Sequence, residues 1–274
     1  MLTLLAALTI AVLAPAFHYH QFGEATRMAR DAGFSALFTC GGVMAVFGTI
    51  RAVRREVESG TLEMVLARPI SRGGFFLAKS AGALVACLVF LSVVFLTALV
   101  IVEGAAVGGE IAQASGDIAR LWGPCFAAGV VILVLPLVIG AALNRFARCR
   151  FVLSSFALAA GLSVIAAGWV VWRDASLVAR MLPVAVLILE LLTVLLVASA
   201  AFAVRWRANA AAAAVGIVAA LLVPAIGNYY MSDALANGGR MLWSYVGLAA
   251  LATLPAVLLF ALLGVHFTSR RGVA

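Results

Sequence analysis

The chain has 274 residues, of which 65% are hydrophobic and 11% are charged, with a formal net charge of +8 and a mean hydropathy of +1.16. A soluble globular domain carries about 25% charged residues, so this composition excludes one and indicates that lipid surrounds most of the chain. The four cysteines have no paired spacing, which predicts neither a disulfide framework nor a metal site.

Apolar runs of about 20 residues cross a bilayer as helices, because a helix satisfies its own backbone hydrogen bonds. Eight such runs follow one another along the chain: Leu2–Phe17, Phe34–Ile50, Phe76–Val102, Leu121–Leu143, Phe151–Val171, Met181–Val204, Ala210–Tyr229 and Leu242–Phe267. The sequence therefore predicts an all-α, polytopic membrane bundle that forms a single transmembrane domain over residues 1–274. Apart from the segment between the second and third runs, the longest predicted loops outside the bilayer are His18–Gly33 and Glu103–Arg120.

The first run, Leu2–Phe17, has a second interpretation as a cleaved signal peptide. No basic residue precedes it, and Ala14-Pro15-Ala16 is a poor cleavage site. We expect the run to be retained as a membrane span.

The distribution of basic residues predicts the orientation of the bundle. With the N-terminus inside, thirteen of the 19 Lys and Arg residues fall in inner loops, and every inner loop is basic. The positive-inside rule then predicts that both termini are cytoplasmic. Because topology accounts for the net charge, no nucleic-acid partner is predicted.

A charged segment that contains turns separates the second and third runs, from Arg54 to Lys79 (RREVESGTLEMVLARPISRGGFFLAK). Its first residues, Arg54–Glu58, are expected to continue the second span into water. Gly60 interrupts that helix, because glycine is a poor helix former, and Pro69 ends any helix that precedes it. Ser71 is placed to cap the next helix, which enters the membrane.

Between the two interruptions the sequence predicts a short amphipathic helix. Leu62, Val65 and Leu66 share one helical face, and Glu63 falls in the first turn, where the helix dipole favours an acid. An isolated helix this short is unstable in water, so it must dock on lipid, on its own chain or on a partner.

This segment resembles the hallmark of ABC-2-type ABC transporter permeases, whose acid-Gly-Thr-Leu-Glu stretch is followed by a Ser-Arg pair and a Lys. The matching positions are Glu56, Glu58, Gly60, Thr61, Leu62, Glu63, Leu66, Arg68, Pro69, Ser71, Arg72 and Lys79. The resemblance implies that segment 54–74 carries a cytoplasmic coupling helix that binds a separate ATPase subunit. It also implies six spans in the family core, so we predict six to eight here.

Two further observations bear on energy supply and on transport. Gly73–Ser80 almost matches the phosphate-loop pattern, but Ala78 replaces its second glycine and the residues enter the membrane. We therefore predict no ATP hydrolysis by this chain, no bound cofactor, and ATP and Mg on the partner ATPase. Glu190 is the one acid deep in a predicted span, which marks it as a candidate for the translocation path or for a buried polar contact.

These inferences predict the permease subunit of an ABC-2-type exporter in a bacterial inner membrane, paired with a second permease chain. Ala78, Gly82 and Ala86 form a row of small residues, a pattern typical of helix packing in membranes. The alternative is a membrane anchor or assembly factor that transports nothing. Neither function requires a metal or a catalytic residue.

Overall fold

The structure, a computed structural model, describes residues 25–59, 71–115, 122–148, 150–236 and 241–270. The helices of these residues are α1 (Ala25–Val43), α2 (Thr49–Glu58), α3 (Arg72–Ser115), α4 (Trp122–Ala147), α5 (Phe151–Arg173), α6 (Ala175–Arg205), α7 (Ala208–Ala236) and α8 (Trp243–Arg270). A π-helical turn, Met44–Gly48, joins α1 to α2 without a break.

Seven of the eight predicted spans coincide with these helices, and the first, Leu2–Phe17, lies outside the described residues. Within the described part of the chain, five helical stretches are long and apolar enough to cross a bilayer. They are Ala29–Glu56, Gly73–Val107, Ser154–Arg173, Ala175–Arg205 and Trp243–Arg270. The prediction of an all-α, polytopic membrane fold is confirmed.

The predicted loop Glu103–Arg120 was wrong over most of its length, because α3 remains helical to Ser115. Glu103 does not force the chain out of the helix: its side chain is only 8% exposed and its carboxylate meets Arg173 on α5 at 3.0 Å. Pairing of a buried acid removes most of the cost of keeping it there. The predicted loop His18–Gly33 is likewise already helical from Ala25.

The described residues form two compact units, one from positions 25–40 and 90–181 and the other from 41–89 and 182–270. In the first unit, the buried hydroxyls of Thr97 on α3 and Ser163 on α5 lie 3.2 Å apart. Gly140 on α4 faces Ser155 on α5 so closely that a Cβ would overlap the serine side chain. Small and hydroxylated residues therefore hold these helices together, as is usual where apolar burial alone does not drive helix association.

The second unit contains the residues on both sides of the predicted coupling segment. Phe76 of α3 packs with Ala200, Ala201 and Val204 of α6 in one apolar cluster. The short turn between α6 and α7 begins at Trp206, whose ring stacks on Phe202 with centroids 4.9 Å apart. Ala203 of α6 and Ala211 of α7 pack together beside this turn.

Candidate functional site

The structure describes the two ends of the predicted coupling segment. Glu56, Glu58, Ser71 and Arg72 lie in the described residues, with Glu56 and Glu58 in the last turn of α2 and Arg72 at the start of α3. The remaining predicted residues lie outside them: Gly60, Thr61, Leu62, Glu63, Leu66, Arg68 and Pro69. The amphipathic helix predicted over Leu62–Leu66 therefore stays a prediction.

The first end of the segment is fixed by Arg54. Its guanidinium donates to Glu58 at 2.7 Å, and Nη1 also reaches the carbonyl oxygen of Trp206 at 3.5 Å. The helix then ends with Ser59, whose backbone N–H donates to the Arg55 carbonyl at 3.0 Å. Arg54 thus ties the end of α2 to the turn that precedes α7.

The second end of the segment is fixed by a helix cap. The backbone N–H of Gly74 donates to Ser71 Oγ at 3.1 Å, and the N–H of Phe75 donates to the Ser71 carbonyl at 3.0 Å. A serine hydroxyl in this position satisfies an N–H that has no partner within the helix. The predicted capping role of Ser71 is confirmed.

An ion pair joins the two ends. The Lys79 ammonium on α3 meets the Glu56 carboxylate on α2, with side chains 46% and 30% exposed. The same ammonium lies 5.9 Å from the centroid of the Phe75 ring, within the range of a cation–π contact. The chain that leaves at Glu58 and returns at Ser71 is therefore closed at its base by opposite charges.

Apolar packing around Phe76 lies next to this ion pair. Phe76, only 3% exposed, fills the space between α3 and α6. A Cβ on Gly264 of α8 would overlap the Phe76 ring, so the absence of a side chain there allows the aromatic ring to fit. The remaining cavity beside Phe76, Glu56 and Lys79 has a volume of about 20 Å³, enough for one water.

The sequence places Glu56 and Glu58 in a segment predicted to bind a partner, and it does not predict their contacts within the chain. The Arg54–Glu58 pair has a local signal, since residues four apart on a helix are neighbours. The Glu56–Lys79 pair joins residues 23 positions apart. Helical periodicity carries no information about that contact.

Glu190 lies near the middle of α6, away from both charged ends of the helix. Its Oε2 atom is buried, and within the part of the chain that the structure describes it has no hydrogen-bond partner. Buried polar atoms are nearly always paired, which makes this carboxylate a second candidate site.

Comparison with known proteins identifies the family. The family model described as "ABC-2 family transporter protein" matches residues 6–149, more than half of the chain. The chain belongs to the ABC-2 transporter family. The matched region contains the whole of segment 54–74, so the resemblance carried by that segment is confirmed.

No curated protein matches this ABC-2 permease, and no solved structure matches it. Family membership makes the chain a membrane transport component and implies an ABC ATPase subunit as its partner. The near match to a phosphate loop, Gly73–Ser80, lies inside α3. Its backbone amides face along a helix and do not form the open nest that binds phosphates.

Proposed function

We propose that this permease is the membrane-spanning subunit of an ABC exporter, and that a separate ATPase drives it by docking on segment 54–74. Family membership supports the transport role. The observation that supports the docking proposal is the Glu56–Lys79 ion pair, because it joins the helices on both sides of the segment. A force applied to the segment then reaches α2 and α3 together.

The proposed roles divide by chemistry. Leu62 and Leu66 fill an apolar cleft of the ATPase, while Glu63 and Arg68 make polar contacts at its rim. Glu56 keeps the ends of the segment together through Lys79, and Glu58 positions its first end through Arg54. ATP and Mg bind the partner, and this chain supplies the moving helices.

We further propose that two permease chains assemble with two ATPase subunits in a bacterial inner membrane, with both termini cytoplasmic. The basic inner loops support this orientation. Ala78, Gly82 and Ala86 on α3 are all exposed, and a Cβ on Gly82 would meet no atom within 4 Å. Such a row allows close approach of a second helix, which supports a contact with another permease chain.

Affinity co-purification of the tagged chain from detergent-solubilised membranes tests the ATPase proposal. We expect a nucleotide-binding subunit in stoichiometric amount, identified by mass spectrometry, whose ATPase activity is retained in the complex. Recovery of other membrane proteins without any nucleotide-binding subunit would instead favour the anchor or assembly-factor function.

Charge reversal at the base of the segment is expected to show coupling between Glu56 and Lys79. The single variants Glu56→Lys and Lys79→Glu should each lower the free energy of unfolding by about 0.5–1 kcal/mol, since the pair is partly exposed. The double variant should recover most of that loss, because the opposite charges meet again. Thermal unfolding of all four proteins gives the coupling energy, and additive losses in the double variant would exclude the ion pair.

Substitution of Glu190 is expected to separate stability from transport. We propose that Glu190 lines the translocation path or contacts the second permease chain. Because Oε2 has no partner among the described residues, Glu190→Leu should leave the melting temperature unchanged or raise it while transport falls. Thermal unfolding and ATP-driven transport measure the two effects, with Thr193→Val on the same helix as the control. A large loss of stability would assign Glu190 a structural contact instead.

A further inference from the structure

An open groove of about 910 Å³ lies beside the end of α2 and the beginning of α7. Its lining residues are Phe47, Ile50, Arg51, Arg54, Arg55, Glu58, Ser59 and Ala208. Most of these residues recur every three or four positions from Phe47 to Glu58, so they form one continuous face of the helix. The coupling proposal uses Arg54 and Glu58 at one end of this face and gives Arg51 and Arg55 no role.

The groove carries net positive charge. Glu58 is already neutralised by Arg54 at 2.7 Å, and Glu56 is occupied by Lys79. Arg51 and Arg55 are exposed, and within the described residues their side chains form no ion pair or hydrogen bond. Within the described part of the chain, these two guanidinium groups are therefore open to an anion.

The opposite end of the groove is apolar and belongs to the membrane span. Phe47 is 58% exposed and lies within the predicted span Phe34–Ile50, whereas Arg51 and Arg55 follow that span. Phe47 also belongs to the π-helical turn Met44–Gly48, a local insertion that often occurs at functional sites and that displaces side chains from α-helical register. The groove thus runs from an apolar wall inside the membrane to two arginines at the membrane surface.

We propose that this groove binds an anionic phospholipid, with the phosphate held by Arg51 and Arg55 and an acyl chain lying against Phe47. A soluble partner can reach the arginines, but it cannot reach an apolar side chain within the span. A phospholipid presents an anion and an apolar chain at the matching depths, and arginines at a membrane surface favour anionic head groups.

Native mass spectrometry of the purified full chain tests the proposal without the ATPase, so its outcome is independent of the docking proposal. The chain is titrated with phosphatidylglycerol or with phosphatidylcholine in detergent micelles. We expect preferential retention of phosphatidylglycerol, and at least about fivefold weaker retention by the Arg51→Gln/Arg55→Gln variant. The Arg51→Lys/Arg55→Lys variant keeps the charge and should retain most of the lipid.

The matched control is Arg145→Gln/Arg150→Gln, which removes two exposed arginines, one in the last turn of α4 and one just before α5. This control should bind phosphatidylglycerol as the unmodified chain does. Equal lipid loss in both double variants would reduce the effect to general surface charge and overturn the site. The site would also be overturned if inorganic phosphate displaced phosphatidylglycerol as effectively as added phosphatidylglycerol does. Unchanged retention of phosphatidylglycerol by Arg51→Gln/Arg55→Gln would overturn it as well.

Discussion

Replacement of Leu66 by aspartate is expected to release the ATPase from the purified complex while leaving the membrane helices folded. A leucine buried in a cleft contributes about 1.5–3 kcal/mol, and an unpaired carboxylate in its place adds a desolvation cost. Together these effects should weaken association by about 100-fold or more, at 1.4 kcal/mol for each factor of ten. Co-purification and a binding titration with the isolated ATPase measure the change.

The control for this variant makes the same chemical change away from the coupling segment. Leu242, just before α8, is 57% exposed and lies on the predicted outer side, where a cytoplasmic ATPase cannot reach. Leu242→Asp should co-purify with the ATPase as the unmodified chain does. Retention of the ATPase by Leu66→Asp, in a variant with unchanged helical content, would refute the coupling-helix assignment.

Addition of a single methyl group at Gly264 is expected to destabilise the base of α3. A Cβ at this position overlaps the Phe76 ring, which packs against Ala200, Ala201 and Val204 and has beside it a cavity of only about 20 Å³. Overpacking of a filled core costs about 1–3 kcal/mol. Gly264→Ala should therefore lower the melting temperature measured by circular dichroism in detergent.

Two further variants make this test specific. Gly247 lies on the same helix, α8, and a Cβ there meets no atom within 4 Å, so Gly247→Ala should be neutral or slightly stabilising. Phe76→Leu in the Gly264→Ala background provides a smaller side chain and should recover part of the lost stability. An unchanged melting temperature in Gly264→Ala would show that Phe76 can move out of its pocket.

Under the docking proposal, Gly264→Ala also affects the base of the coupling segment. Phe76 lies three residues before Lys79, which holds the base of the coupling segment through Glu56. Displacement of the ring should shift Lys79 and weaken that ion pair. Gly264→Ala is therefore expected to lower the coupling energy of the Glu56–Lys79 pair as well as the global stability.

Local features of the sequence predicted much of the fold. The run Phe151–Val171 became α5 with the same first residue and an end two residues later, because charged Arg150 and Arg173 bound the apolar run on either side. The cap at Ser71 was equally predictable, since a hydroxyl followed by a helix-forming run acts within one turn. The loop Glu103–Arg120 failed because Glu103 found a partner on another helix, which composition does not reveal.

Part of the candidate site could likewise be predicted from the sequence, and part could not. Its motif is contiguous, so the sequence alone identified the segment and the family. Two features join residues far apart in the chain: the ion pair between Glu56 and Lys79, and the packing of Phe76 against Gly264. The positive charge of the groove with Arg51 and Arg55 depends on which basic neighbours pair with Glu56 and Glu58.

The sequence by itself determined a helical membrane protein of the ABC-2 family, because hydropathy, helix caps and a contiguous motif act over a few residues. Tertiary structure decided which charges far apart in the chain neutralise each other, as Glu56 and Lys79 do. The physical reason is that an ion pair depends on distances of a few ångströms between atoms, and packing sets those distances.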